Sequence, residues 1–261
     1  MKCLVFAAGL GTRLKPLTDR MPKALVPVGG RPLIEHVTRK LKKAGIEEAV
    51  TNVHHFADMI EEWAENQDII PMRISDERPL LLETGGGVLH ARPFLEGCGR
   101  FLVHNVDILS DLDIAWFESC VKEDALATLL VSERKTSRYL LFEPDTMRLL
   151  GWTNIVTGEV RSPYPGLDPH QCRMLAFSGI HIMSDSIFDR LEDYARERGL
   201  YEESDAPRFP IMDFYLSVCA QCNIYGVEAC GLNIIDVGKL DTVELAEKEL
   251  SRLEDSSDND K

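Results

Sequence analysis

Gly9-Leu10-Gly11-Thr12-Arg13, together with Lys23, is the first group in this chain whose residue types and spacing could do chemistry. Small residues and glycines let a backbone approach a ligand closely, and successive N–H groups can then cradle phosphates. Arg13 and Lys23 stand on a stretch stiffened by Pro16 and Pro22. A planar guanidinium and a point-charge ammonium together suit a triphosphate. Taken alone, the pair equally describes two solvated cations on a turn. Leu82-Glu83-Thr84-Gly85-Gly86-Gly87 is a second such group. Consecutive glycines cost chain entropy, so the expectation is a loop whose bare backbone surface is in use, with a flexible surface loop as the competing reading.

Other chemistries fit less well. A dinucleotide fingerprint needs a third glycine where Leu14 stands and a helix directly after the loop, but Pro16 and Pro22 intervene. The Gly-Lys-Ser/Thr that closes a P-loop is missing. His54-His55 makes a poor chelate, because neighbours on a strand point to opposite faces, and the pair reads as structural. Cys219-Ala220-Gln221-Cys222 has C-x-x-C spacing, but without a second ligand pair it reads as small core residues on a helix. Seven scattered cysteines fit reduced thiols. The net charge of −14 argues against nucleic acid as a partner. It also means that an anionic substrate must be met by local cations or a metal. No apolar run is long enough to span a bilayer, and the short apolar start reads as a buried strand, so the expected location is cytoplasmic.

These groups need elements to position them. Lys2–Ala8 reads as a buried strand, followed by a glycine-rich loop to about Gly30. Leu33, Ile34, Val37 and Leu41 then recur at helical spacing between Pro32 and Gly45. Strands are expected at 49–53, 69–74 and 101–105, alternating with helices at 56–64 and after the triple glycine. Such alternation implies an α/β fold with a mostly parallel sheet covered on both faces, its ligands at the carboxyl ends of the strands. The loops at Gly9–Gly11, Glu83–Gly87 and Asn105–Asp107 should therefore cluster. The second half reads as a smaller mixed sheet, with strands at 127–132, 139–142, 174–183, 224–227 and 233–237, a Pro/Gly-rich loop at 162–169, and helices at 186–198, 211–220 and 242–253. The expected organisation is one domain over 1–253, with lobes 1–110 and 111–253, and a polar frayed tail at 254–261.

The run Gly-x-Gly-x-Arg-Leu-x-Pro-Leu-Thr, then Pro-Lys-x-Leu-Val-Pro-Val, then Pro-Leu-Ile, from Gly9 to Ile34, resembles the sugar-1-phosphate nucleotidyltransferase family. The resemblance implies a Rossmann-like α/β/α sandwich. It implies that Ala8, Gly9, Gly11, Thr12 and Arg13 hold the nucleotide phosphates and that Lys23 meets the triphosphate. It also implies an acidic metal ligand after a later strand, where Asp107 stands. Val106 departs from the small residue usual before that aspartate. Asp236, in Asp-Val-Gly, matches a second ligand. Two carboxylates suit Mg²⁺, while the competing role for each is a helix cap or turn. Leu82–Gly87 resembles the Glu-Thr-Gly-Gly-Gly of a bacterial subgroup that includes N-acetylmuramate 1-phosphate uridylyltransferases, placing Glu83, Gly85 and Gly86 at the base and ribose. Ser178 and Gly179 resemble the strand segment that meets the sugar, with a buried, bulged strand as the rival reading. Asn154 is a further sugar-side candidate, although asparagine after a strand is usually a turn.

The implied reaction joins a nucleoside triphosphate, UTP ahead of GTP or CTP, to a sugar 1-phosphate in a monomer or homodimer. Many family members grip the sugar phosphate with a second-lobe lysine that has no clear counterpart here; Lys135 and Arg173 are the candidates. Two rivals stay open. One is a cytidylyltransferase acting on a non-sugar phosphate such as phosphocholine, favoured by an aromatic cage. The other is a catalytically silent nucleotide-binding paralogue, suggested by Val106 and the missing lysine.

Overall fold

β1 (Lys2–Phe6) is apolar on both faces, as a central strand must be. The computed structural model describes residues 1–201 and 205–255. After β1 the expected glycine-rich segment is built of three single 3₁₀ turns and a small hairpin, β2 (Pro27–Val28) and β3 (Arg31–Pro32). α1 (Leu33–Lys43) buries Leu33, Ile34, Val37 and Leu41 on one stripe. Gly45, at φ 76°, supplies the left-handed residue after its end. β4 (Ala49–Val53) and α2 (Ala57–Asn66) follow.

The next strand, β5, covers Met72–Asp76, a shift from the expected 69–74. The cause is Gln67. Its Oε1 accepts from the N–H groups of Ile69 and Ile70, and its Nε2 donates to the Ile70 carbonyl, so these residues are held in a turn. The expected glycine loop is also corrected. Gly85, Gly86 and Gly87 lie inside α3 (Glu83–His90) and are buried. α4 (Arg92–Leu95), β6 (Arg100–Asn105), β7 (Ile108–Ser110) and α5 (Ile114–Ser119) complete the first half.

The second half contains β8 (Ala127–Ser132), β9 (Arg138–Phe142), β10 (Leu149–Asn154), β11 (Glu159–Arg161) and the long β12 (Arg173–Ser184). α6 (Ile187–Glu197), α7 (Ile211–Val218), β13 (Ile224–Glu228), β14 (Ile234–Asp236) and α8 (Leu240–Asp255) follow. The hairpin β10–β11 was not expected, although β10 alternates buried and half-buried positions as a strand should. Of the expected tail, residues 254 and 255 are helical and 256–261 lie outside the described residues.

The main sheet runs β11-β10-β9-β12-β6-β1-β4-β5, with β8 also pairing β12 and β13 pairing β8. β6, β1, β4 and β5 are mutually parallel. β12 joins this set antiparallel to β6, so one sheet continues through both halves. The fold is thus mixed α/β with a parallel centre. Alternation along β1 shows how its faces are covered. Cys3 and Val5 enter a core shared with Ile34 and Leu41 of α1 and Ile60 of α2. Leu4 enters a second core with Val88 of α3, Phe188 of α6 and Phe214 of α7. No helix among the described residues is long and apolar enough to cross a membrane.

Candidate functional site

Parallel strands carry their carboxyl ends to one edge, and there the loops after β1, β4, β5 and β6 meet. The Val106 N–H donates to the Phe6 carbonyl at 3.1 Å, joining the ends of β6 and β1. Asn52, at the end of β4, accepts through Oδ1 from the N–H groups of Ala7 (2.7 Å) and Ala8 (3.2 Å). Its Nδ2 donates to Glu77 Oε1 at 2.8 Å, just past β5. The Ala8 N–H is therefore engaged by the protein itself.

Beyond Ala8 the loop is open. A Cβ at Gly9 would meet no atom within 4 Å, so the glycine leaves free space. Gly11 is different: its φ is 61°, and a Cβ there would sit 2.8 Å from Thr18 Cγ2 and 3.1 Å from Lys23 Cβ. The Thr18 hydroxyl donates to the Gly11 carbonyl at 2.8 Å. Gly11 thus lets Lys23 pack beneath the loop, and Thr12 and Arg13 follow in a single exposed 3₁₀ turn. Lys23 Nζ forms an ion pair with Asp107 Oδ2, with the two side chains only 11% and 18% exposed. Being mostly withdrawn from water, the pair feels its mutual attraction more strongly than a surface pair would. Val106 does not have positive φ: Phe56, Glu83 and Met147 are the non-glycine residues that do among those described. Its side chain is buried in the core, so the turn accommodates the larger residue there.

β7 and β14 bring in the far end of the chain. They pair antiparallel, setting Asp236 opposite Ile108, and the Val237 N–H donates to the Asp107 carbonyl at 2.8 Å. Asp236 is thereby placed beside Asp107. A Cβ at Gly238 would lie 2.7 Å from Asp236 Oδ1 and 2.9 Å from Arg13 Nη2, so this glycine gives the guanidinium its place next to the carboxylate segment. Among the described residues, the Asp236 carboxylate has no hydrogen-bond or ion-pair partner, and no cluster of three or more metal-ligating side chains occurs.

The sugar-side candidates separate. Ser178 and Gly179 line a pocket with Asn105, Ile108, Arg134, Phe177, Ile234 and Asp236. The register of β12 against β8 shifts between Phe177 and His181, so the bulged-strand reading is also found, and Gly179 sits in it at φ 76°. A Cβ at Gly179 would lie 2.7 Å from Asn105 Nδ2. Ser178 is buried and its Oγ has no partner. Asn154 does not line this pocket; its Oδ1 accepts from the Val156 N–H at 3.0 Å and closes the β10–β11 turn.

The second-lobe cations also separate. Arg173 is paired with Glu228, and Lys135 does not line the pocket, whereas Arg134 does. Arg134 Nη2 donates to the Phe177 carbonyl at 3.1 Å, and the residue takes part in no ion pair among those described. Sequence reading missed it because an arginine between Glu133 and Lys135 looks like a solvated charge run.

The triple glycine does not present an open surface where Gly85 and Gly86 stand. Both N–H groups donate to the Phe209 carbonyl, at 2.8 and 3.2 Å. Cβ atoms there would fall 2.4 Å from the Phe209 ring and 2.2 Å from the Pro207 carbonyl oxygen. Glu83 has φ 61° and pairs with Arg208 at 3.1 Å. These contacts fix the start of α3 against the segment before α7.

Comparison with known proteins agrees with this architecture. The nucleotidyl transferase family profile matches residues 2–145. An N-acetylmuramate α-1-phosphate uridylyltransferase of Caulobacter vibrioides is 39% identical over 193 residues, covering 70% of this chain and 75% of its own. One from Neisseria meningitidis is 33% identical, covering 74% and 79%. The crystal structure of HddC from Yersinia pseudotuberculosis superposes with a TM-score of 0.73 at 20% identity, covering 95% of this chain and 99% of that one. With over half its length matched by the profile and two such relatives, this chain belongs to the nucleotidyl transferase family.

Proposed function

We propose that this nucleotidyltransferase moves a uridylyl group from UTP to N-acetylmuramate α-1-phosphate, forming the UDP-sugar and releasing pyrophosphate. The observation that carries the reaction type is the Lys23–Asp107 pair at the carboxyl edge of the parallel strands, beside Asp236 and Arg13. The choice of base and sugar is supported by the two uridylyltransferase relatives. A phosphate oxygen of the sugar 1-phosphate attacks the α-phosphorus, and the bond to the bridging oxygen of the β-phosphate breaks. The nucleophile is already anionic, so alignment and charge neutralisation carry the catalysis. The free N–H groups of the Gly9–Gly11 loop receive phosphate oxygens, and Arg13 and Lys23 meet the charge that builds on the pyrophosphate side.

Asp107 and the unpartnered Asp236 form a donor set that suits Mg²⁺, which takes one or two carboxylates together with phosphate oxygens and water. When bound, the ion supplies charge neutralisation across the phosphates. Arg134, which lines the pocket with Gly179, receives the sugar phosphate, while Ser178 is buried in that wall. Arg134 thus takes the place first sought at Lys135 or Arg173. Among the described residues lining this pocket Phe177 is the one aromatic ring, which favours a sugar phosphate over a quaternary ammonium. The absence of positive φ at Val106 and the arginine lining the pocket at Arg134 favour an active enzyme over a silent paralogue.

The test is pyrophosphate release with Mg²⁺, crossing UTP, GTP, CTP, ATP and dTTP against N-acetylmuramate, N-acetylglucosamine and mannose 1-phosphates and phosphocholine. Turnover is expected with UTP and N-acetylmuramate 1-phosphate. Turnover confined to another pair overturns the substrate assignment, and binding of nucleotide without any release overturns the proposed reaction.

A further inference from the structure

We propose that Asn52 and Glu77 are positioning residues of the nucleotide site: Glu77, whose two carboxyl oxygens both accept, fixes which way the Asn52 amide faces, and the amide holds the backbone from which the phosphate loop departs. The inference rests on the reading of Gly9–Gly11 as that loop. Both residues are buried, at 3% and 1% exposure, so neither is available to a ligand in bulk water. The oxygen and nitrogen ends of an amide have nearly the same shape, so packing hardly distinguishes its two orientations and hydrogen bonds must decide.

The structure supplies a one-way chain of such bonds. Glu77 Oε2 accepts from the Leu82 N–H at 3.1 Å, and Oε1 accepts from Asn52 Nδ2 at 2.8 Å. Asn52 Oδ1 is then left to accept from both Ala7 and Ala8. The Glu77 backbone is locked in turn: its N–H donates to the Val53 carbonyl at 2.8 Å, and its carbonyl accepts from His54 Nδ1 at 2.7 Å. Gly87 gives the pair its room, since a Cβ there would lie 2.9 Å from Glu77 Oε1 and 3.3 Å from Asn52 Nδ2. Leu82 immediately precedes α3. The pair therefore ties the phosphate loop after β1 to the start of that helix.

A glutamine at 77 breaks the polarity of this chain. Its own NH₂ must face either the Asn52 NH₂ or the Leu82 N–H, donor against donor. If Asn52 turns over instead, it sets its NH₂ against two backbone N–H groups. An aspartate at 52 keeps the acceptor toward the loop but faces Glu77 with a second carboxylate. The exchanged pair, Asn52→Asp with Glu77→Gln, restores every donor to an acceptor.

The experiment measures KM for both substrates, with the nucleotide and sugar phosphate that turn over in the wild type. It uses Glu77→Gln, Asn52→Asp and the double variant, at a temperature where circular dichroism shows each folded. Each single variant is expected to raise the nucleotide KM about tenfold, the size of one unsatisfied buried hydrogen bond, with the sugar-phosphate KM unchanged. The double variant is expected to return most of the way to the wild-type value. A purely structural role would lower melting temperature and active fraction while leaving the nucleotide KM where it was. Single variants with wild-type nucleotide KM, or a double variant no better than the worse single, overturn the proposal. If a single variant does not fold, the double variant decides: near-wild-type nucleotide KM sustains the exchange, and a tenfold rise overturns it. Failure of the underlying site reading is separate, since full turnover by Lys23→Ala removes it whatever these variants do.

Discussion

The parallel edge and the mixed-sheet side of this molecule build their halves of the proposed site in different ways. On the parallel edge, neighbouring backbone does most of the work: Gly9, Gly11, Thr12, Arg13 and Lys23 lie close together in sequence, and β1, β4 and β6 aim them at Asp107. On the mixed side, Arg134, the neighbours Ser178 and Gly179, and Asp236 come from three separate places, brought together by β12 pairing and by β14 meeting β7. The first half is a local construction with a written motif. The second is a long-range construction in which each element contributes one or two residues.

That contrast can be broken or sharpened by mutation. Lys23→Ala or Asp107→Ala should lower turnover by about 10²–10³-fold with little change in the circular-dichroism spectrum, as expected for groups that meet developing charge. Turnover that survives either change would move the chemistry off the parallel edge. Arg134→Gln should raise the sugar-phosphate KM about tenfold and leave the nucleotide KM alone, with Arg134→Lys intermediate, the size expected for one charged contact. The same loss from Lys135→Gln in place of Arg134→Gln would reassign the cation.

Gly86→Ala tests the fold rather than the chemistry. With the Pro207 carbonyl in the way, it should destabilise by about 1–3 kcal/mol in chemical denaturation. Asn154→Ala should change kcat and KM by less than about twofold, as for a surface turn residue. Lys40 gives an effect confined to alkaline pH. Its ammonium donates to the Ser110 carbonyl at 2.8 Å, and burial pushes its pKa down to about 8. Since the unfolded chain holds that proton up to its ordinary value, the folded state gains stability as pH rises from about 8 to 10.5. Lys40→Met should remove that gain, read as a flatter dependence of melting temperature on pH.

Sequence reading placed the parallel sheet well because apolar runs in β1, β4 and β6 and the stripe on α1 follow directly from burial. The Gly9–Lys23 segment was legible for a related reason: its glycines and cations serve one loop. The triple glycine was expected as a loop and stands inside a helix, because glycine in sequence reports only that space is short. It does not say whether a ligand or the chain's own Phe209 takes that space. Arg134 was invisible because its meaning depends on a pocket closed by β12 and β14, far away in sequence. The Asn52–Glu77 pair left no signal beyond two polar residues near strand ends.

The family match ends at residue 145, but the sheet does not. Inside the native chain, β6 has β1 on one side and β12 on the other. A fragment cut at the end of the match would keep the whole Gly9–Gly11 loop and Asp107, yet leave β6 with a bare row of amides and carbonyls along an apolar strand. Such an edge invites pairing with a second copy. The fragment should therefore be lost to aggregation on expression, and adding back the segment that carries β12 should return it to solution.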